Sequence, residues 1–239
     1  KEYRRQRQMC IRDRCSLKSI AMENKQTNAP RRGRPPRSQE QITASRNVII
    51  QAARDLFAAH GYEGVSMRKI AAKAECLPAT LYTLFPSKRH LLHHIWEGIF
   101  LDLMTTLETC YNNSPEPDRL KNLCLTQVDF WLNRPDDCRA IFLIEDHPQS
   151  AEEHYFVEDS QAVPQLEIYT RAIKEAQDRG EVRAGNPDEI KNVLLCSILG
   201  IALSLIGIPE YPWGNPNTLK ENTICLLYTS DAADDTPCV

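Results

Sequence analysis

Cys76–Leu92 reads CLPATLYTLFPSKRHLL. Two prolines bracket one short apolar segment, Pro78 at its start and Pro86 past its end. Proline fits the first turn of a helix, where its missing N–H costs nothing, and it stops a helix that reaches it. Between them, Leu81, Leu84 and Phe85 share one face, so Ala79, Thr80, Tyr82 and Thr83 occupy the other. The pattern predicts a stubby helix with fixed ends and a polar face turned toward a partner.

The same logic extends in both directions. Upstream, Ile49, Ala52, Ala53, Leu56 and Phe57 form one apolar stripe at helical spacing in a helix expected from Gln41, and Gly61 marks its end. Ser66 is positioned to cap a second helix that buries Met67, Ile70, Ala71 and Ala74. Downstream, Ser87 can cap a longer helix to about Tyr111, with Leu92, Ile95, Trp96, Ile99 and Leu103 on one face. The rest also reads helical, through segments around 118–133 and "CRAIFLI", a capping box at Ser150/Glu153, a break at Pro164, a stop at Gly180 and the cap Asn186–Pro187. No stretch alternates with period two, so the fold class is all-α.

Val193–Ile208 is apolar nearly all round and ends at Pro209. It is shorter than the roughly 20 residues a bilayer core requires, which favours a buried helix over a membrane span. A small bundle covers such a helix on one side only, so a subunit interface is expected, with Gly200 and Gly207 permitting close approach.

Charge divides the chain. Residues 25–95 carry 12 Lys and Arg against 4 Asp and Glu, whereas 96–224 carry 10 against 22. Only the first part suits a polyanion. Arg31–Arg37 reads RRGRPPR; Arg32, Gly33 and Arg34 resemble the core of AT-hook peptides, whose slim glycine and extended arginines fit a narrow A·T-rich minor groove. A generic basic tail is the alternative. Cys76, Cys110, Cys124, Cys138 and Cys196 are scattered without a C-x-x-C pair, which favours reduced core thiols in the cytoplasm over a zinc or disulfide framework.

Both ends look foreign. RRQRQMCIRDR (4–14) and CLLYTSDAADD (225–235) can be encoded by DNA strings that are reverse complements, resembling a transposase sequencing adapter read through in frame. The expected natural start is Met22. The expected organisation is a foreign or disordered basic arm at 1–40, a helix-turn-helix domain at 41–88, a helical effector and dimerisation domain at 89–224, and an adapter-derived tail at 225–239.

Val48–Leu92, VIIQAARDLFAAHGYEGVSMRKIAAKAECLPATLYTLFPSKRHLL, resembles the DNA-binding domain of the TetR/AcrR transcriptional regulators. The carrying motifs are A-x-x-L-F-A-x-x-G-Y-x-G-V-S-M-R-x-I-A and T-L-Y-x-x-F-x-S-K. The resemblance implies a helix-turn-helix whose second helix enters the major groove of double-stranded operator DNA. It also implies C-terminal helices that enclose a small-molecule effector and form a homodimer. The implied function is a repressor on a palindromic operator, with reading helices roughly 34–36 Å apart. Thr80 and Tyr82 match the family's T-x-Y and are expected to donate to phosphates. Ser66 and Arg68, at a helix N-terminus, and Lys88 are expected to hold further phosphates. Ala79 and Thr83 are small enough to meet bases, a thymine methyl in particular.

Each residue has a plainer alternative: Ser66 as a cap, Tyr82 as packing, Lys88 and Arg89 as solvated charges, Ala79 and Thr83 as ordinary surface. Three positions depart from the family pattern: Glu75 stands where glycine is usual, Leu77 replaces a polar cap, and Leu84 replaces a histidine or aromatic residue. Glu75 is expected in a left-handed conformation at a cost of roughly 1 kcal/mol.

Phe130, Trp131, Phe142, Tyr155 and Phe156 are the aromatic residues expected either to line the effector pocket or to fill the core. No metal or cofactor is expected. His90, His93 and His94 lie close on one helix without further ligands, and Glu145–His147 lacks a nucleophile or phosphate loop, so an enzyme is the weaker class. A helical dimer that binds protein or lipid and no operator remains the second reading.

Overall fold

The computed structural model describes residues 38–148 and 153–228, with side chains through 225. Arg32, Gly33 and Arg34, Ser150 and the first adapter-like string lie outside them. Among the described residues every regular element is helical.

Helix α1 spans Gln39–His60 and begins two residues before the expected boundary. The reason is a capping box: Ser38 Oγ accepts the Gln41 N–H, and the Gln41 side chain accepts the Ser38 N–H, each at 3.3 Å. Gly61 ends α1 at φ +68°, donating its N–H to the Phe57 carbonyl at 2.9 Å. Helix α2 (Met67–Lys73) starts at Ser66, whose Oγ accepts the Lys69 N–H.

The turn into α3 (Pro78–Leu84) closes as a Schellman motif. Glu75 donates to the Ala72 carbonyl at 3.2 Å and Cys76 to the Ala71 carbonyl at 2.9 Å. The motif places its hinge residue in the left-handed region, and Glu75 sits there at φ +50°, the sole non-glycine with positive φ among the described residues. The expected strain is therefore present. Leu81 and Phe85 are fully buried under α1 and α4, which seats α3 with its other side outward.

Helix α4 (Lys88–Asn113) is capped by Ser87, which accepts the His90 N–H at 3.0 Å. It runs from the helix-turn-helix head into the body and buries ten side chains, Leu92, Ile95, Trp96, Ile99 and Leu103 among them. The body comprises α5 (Arg119–Leu132), α6 (Pro135–Phe142), α7 (Phe156–Asp159), α8 (Glu167–Asp178), α9 (Pro187–Gly207) and α10 (Pro216–Tyr228). Helix α5 is its centre and packs on α4, α6, α8, α9 and α10.

Polar side chains tie the body helices together, while the buried Trp131 Nε1 has no hydrogen-bond partner among the described residues. The buried Tyr169 hydroxyl of α8 donates to Gln127 of α5 at 2.6 Å, and Lys220 of α10 pairs with Asp129 of α5. At the far end of α4, Tyr111 donates to Glu175, and its ring lies between the Arg119 and Arg171 guanidinium groups, 4.5 and 4.3 Å from the centroid. Helix α10 is an addition to the expected elements and carries the helix four residues into the adapter-like string, through Tyr228.

Helix α9 corrects one expectation. It starts at Pro187, upstream of the apolar run, because Asn186 caps it by accepting the Asp188 N–H at 2.9 Å. At 21 residues it is long and apolar enough to cross a membrane, so length does not exclude a span. Its first turn holds Asp188, which accepts from Thr170 of α8 at 2.9 Å, and one side packs into the body through Ile190, Leu194, Ile198, Ala202 and Ile206. Only 33% of its most apolar 18-residue window is buried in the protomer, and Val193, Cys196, Gly200 and Gly207 are exposed.

Two substitutions test the backbone account. Glu75→Gly removes the left-handed penalty and is expected to raise unfolding free energy by about 1 kcal/mol in urea titration. At Gly64 a Cβ would overlap the His60 carbonyl oxygen, so Gly64→Ala is expected to lower it by about 1–3 kcal/mol in the same measurement.

Candidate functional site

The outward side of α2 and α3 carries the residues that the sequence singled out. Ser66, Arg68, Ala79, Tyr82 and Thr83 are exposed and Thr80 is half-buried. Tyr82 keeps 50% of its surface, which removes the packing alternative for its outer half. Ser66 does cap α2, and its hydroxyl proton remains for a second partner.

Thr83 turns its hydroxyl back to the Ala79 carbonyl at 2.8 Å, which leaves its methyl for whatever faces α3. The seven residues of α3 include no Arg, Lys, Asn or Gln, the side chains that make bidentate contacts to guanine or adenine. What α3 offers a base edge is methyl-sized. Leu77 adds to this: at the N-cap, without a side-chain cap bond, it is 73% exposed. The sequence shows a missing polar cap there, and the fold leaves this leucine exposed at the start of α3.

Lys88 does something that its position in the motif did not announce. Its ammonium donates to the Tyr62 carbonyl at 3.0 Å and the Val65 carbonyl at 3.3 Å, and lies 3.9 Å from the Tyr62 ring centroid. It ties the α1–α2 loop, and with it the Ser66 end of α2, to the start of α4.

Arg89 is no solvated charge. It is 14% exposed and donates to Asp146 at 2.8 Å, to Glu153 at 3.2 Å and to the His154 carbonyl at 2.7 Å. Its guanidinium also lies 4.7 Å from the Phe156 ring centroid. Arg54 of α1 makes a further head-to-body tie to Asp137 of α6, a pair 83 residues apart that no local pattern reveals.

The three α4 histidines surround the junction of α3 and α4. His94 meets Phe85 edge-on at 5.4 Å, His90 lies 4.8 Å from His94, and His93 stacks on Phe156 at 4.8 Å. Arg46 of α1 lies over the other partner, Phe85, at 5.3 Å and donates to the Leu84 carbonyl. Burial lowers the affinity of His90 and His94 for a proton, and the neighbouring histidines and Arg46 lower it further. Among the described residues no group of three His, Cys, Asp or Glu side chains is arranged for a metal ion.

The five aromatic residues divide. Phe130, Trp131 and Phe142 interlock in the core with Phe100: Trp131 is fully buried, 5.0 Å from Phe130 and 5.2 Å from Phe142 between ring centroids. Tyr155 and Phe156 line a cavity of about 200 Å³ between α4, α6 and α7, together with Leu92, Trp96, Ile144 and Asp146. A larger cleft of about 580 Å³ lies between the end of α1 and α6, with Phe57, Tyr62, Arg139 and Leu143 in its walls. Glu145 and His147 pair at 2.8 Å on the surface at its rim.

Residues 49–95 match the family described as bacterial regulatory proteins, tetR family. No curated protein matches the chain. Among solved structures, the SmeT–triclosan complex is 25% identical, with a TM-score of 0.60 over 79% of this chain and 93% of that one. FadR from Bacillus subtilis in complex with stearoyl-CoA is 16% identical, with a TM-score of 0.64 over 77% and 98%. AibR in complex with isovaleryl coenzyme A and operator DNA is 19% identical, with a TM-score of 0.58 over 77% and 98%. The last two likenesses concern the fold.

The histidine cluster gives stability a defined pH dependence. A folded-state proton affinity below the ordinary value near 6.5 means that the unfolded chain binds more protons at acid pH, so stability rises with pH there. Stability is expected to be complete above about pH 6.5 and to fall on acidification below it. In urea titrations at pH 7.5 and 5.5, the double variant His90→Asn/His94→Asn is expected to lose most of this difference.

Proposed function

We propose that this member of the TetR family is a ligand-responsive, DNA-binding regulator of transcription. Its finer reading is a repressor that binds a palindromic operator as a homodimer and is released by a small-molecule effector. The observation that carries it is the half-buried Thr80 and exposed Tyr82 on a helix held at both ends, inside the segment that matches the family. Fold relatives that hold triclosan, acyl-CoA and operator DNA support the coarse reading. The family match argues for a regulator over a catalyst and for a cytoplasmic site of action, where the chromosome of a bacterium lies.

In this reading Thr80, Tyr82, Ser66 and Arg68 contact phosphates and set the register, while Leu77, Ala79 and the Thr83 methyl meet thymine methyls. Lys88 acts on the DNA through the α1–α2 loop it holds. Arg32, Gly33 and Arg34 follow the neighbouring minor groove. Two copies join through the uncovered side of α9: Val193, Cys196 and Gly200 lie at helical spacing on it, and a second copy supplies the cover that one protomer lacks. The effector enters the body, and its differential affinity for two positions of α4 drives release.

Duplexes selected by the protein from a random-sequence pool provide the test in a gel shift. Thr80→Ala and Tyr82→Ala are each expected to weaken capture about tenfold, the effect of one charge-assisted hydrogen bond. Arg68→Ala is expected to reduce the slope of log affinity against log salt by about one. Replacing contacted thymines by uracil is expected to cost about fourfold per methyl. Unchanged capture by the Thr80→Ala/Tyr82→Ala double variant would falsify the assigned interface, and no capture at low salt would favour the protein- or lipid-binding reading. Val193→Glu is expected to shift the protein from dimer to monomer in sedimentation.

A further inference from the structure

We propose that the cavity between α4, α6 and α7 is a site for a small organic cation, of the alkylammonium class, and that this cation is the effector. The second half rests on the regulator reading above; the first stands without it.

The walls set the chemistry. Trp96, Tyr155 and Phe156 contribute three aromatic rings, Leu92 and Ile144 contribute apolar surface, and Asp146 is the one charged residue in the lining. Aromatic faces carry negative quadrupole charge and attract an ammonium group, most strongly where water is displaced. A carboxylate beside such rings adds a full charge of the same sense. A neutral ligand would gain only from the apolar walls, and an anion would be repelled by both.

The chain itself already places a cation on these groups. The Arg89 guanidinium lies over the Phe156 ring and pairs with Asp146, so the rings and carboxylate recognise positive charge within the fold. The surrounding segments reinforce the sign. Residues 145–148 and 153–159 carry Glu145, Asp146, Glu153, Glu158 and Asp159, and no Lys or Arg. Arg89 reaches in from α4 to offset two of these five.

Size narrows the class. At about 30 Å³ per water, 200 Å³ has room for six or seven waters, enough for a trimethylammonium group with a short tail and far too little for an acyl-CoA.

The position supplies the coupling. An incoming cation competes with Arg89 for Asp146 and Phe156. Asp146 also accepts the Phe156 N–H at 2.7 Å, so the carboxylate holds the cavity wall and Arg89 together. Displacing the guanidinium frees the start of α4 from Asp146, Glu153 and the His154 carbonyl, one residue from the lysine that holds the α1–α2 loop.

Choline and its uncharged isostere 3,3-dimethyl-1-butanol separate charge from shape. In fluorescence titrations of the purified protein, choline is expected to give a saturable change that Trp96→Phe abolishes. The isostere is expected to bind at least about tenfold more weakly. Tyr155→Ala, at a half-exposed position, and Asp146→Asn are each expected to weaken choline about tenfold. Equal binding of the isostere, unchanged binding by both variants, or no saturation overturns the cation site. With the selected duplex, choline is expected to lower affinity; bound choline that leaves the duplex affinity unchanged overturns the effector role. Absence of any duplex binding beside intact choline binding sinks the regulator reading and leaves the cation site standing.

Discussion

Neighbouring residues on an α-helix point about 100° apart. At the start of α4 this separates two consecutive cations: Lys88 reaches back to the carbonyls of the α1–α2 loop, and Arg89 reaches to Asp146, Glu153 and the His154 carbonyl. The backbone that carries both is held, because Ser87 caps the helix immediately before them and Leu91 and Leu92 are buried just after. The head and the body are thus joined by a rigid couple of side chains on one helical turn. Arg54–Asp137 closes the same joint from the α1 side. These ties add to the packing of α1 on α4 and α6 in setting the position of the head relative to the body.

The local parts of the fold were legible in the sequence. Pro78, Ser66, Ser87 and Asn186 act where the chain changes direction; Pro78 acts through its own ring, and the other three accept from an N–H two or three residues on, so the local sequence identifies them. Glu75 was legible for the same reason: a Schellman turn needs a left-handed residue at one place, whatever its side chain. The joint was not. Arg89 and Arg54 find their acids 57 and 83 residues away, and a lone arginine on a helix reads equally well as a solvated charge. Lys88 reads in the sequence as a phosphate clamp or a solvated charge; its carbonyl partners are backbone atoms that leave no trace in residue identity.

The aromatic residues show the same limit from another side. All five were apparent as body aromatics, yet the choice between core and cavity depends on how α6 and α7 approach α4. Phe130, Trp131 and Phe142 fill the space they share with Phe100, whereas Tyr155 and Phe156 stand on the short helix that roofs a gap. Helix α9 lies between these extremes. Its composition announced that it needed cover on every side, and the protomer provides cover on one.

The dimensions of α4 carry a mechanical consequence. Its 26 residues at 1.5 Å each make a rod of about 39 Å, anchored at its far end by the Tyr111 ring between two guanidinium groups. Lys88 lies 23 residues from Tyr111, about 34 Å along the rod, so a swing of about 5° around that anchor carries the Lys88 tip through about 3 Å. A small rotation of α4 is therefore magnified into a displacement at its Lys88 end.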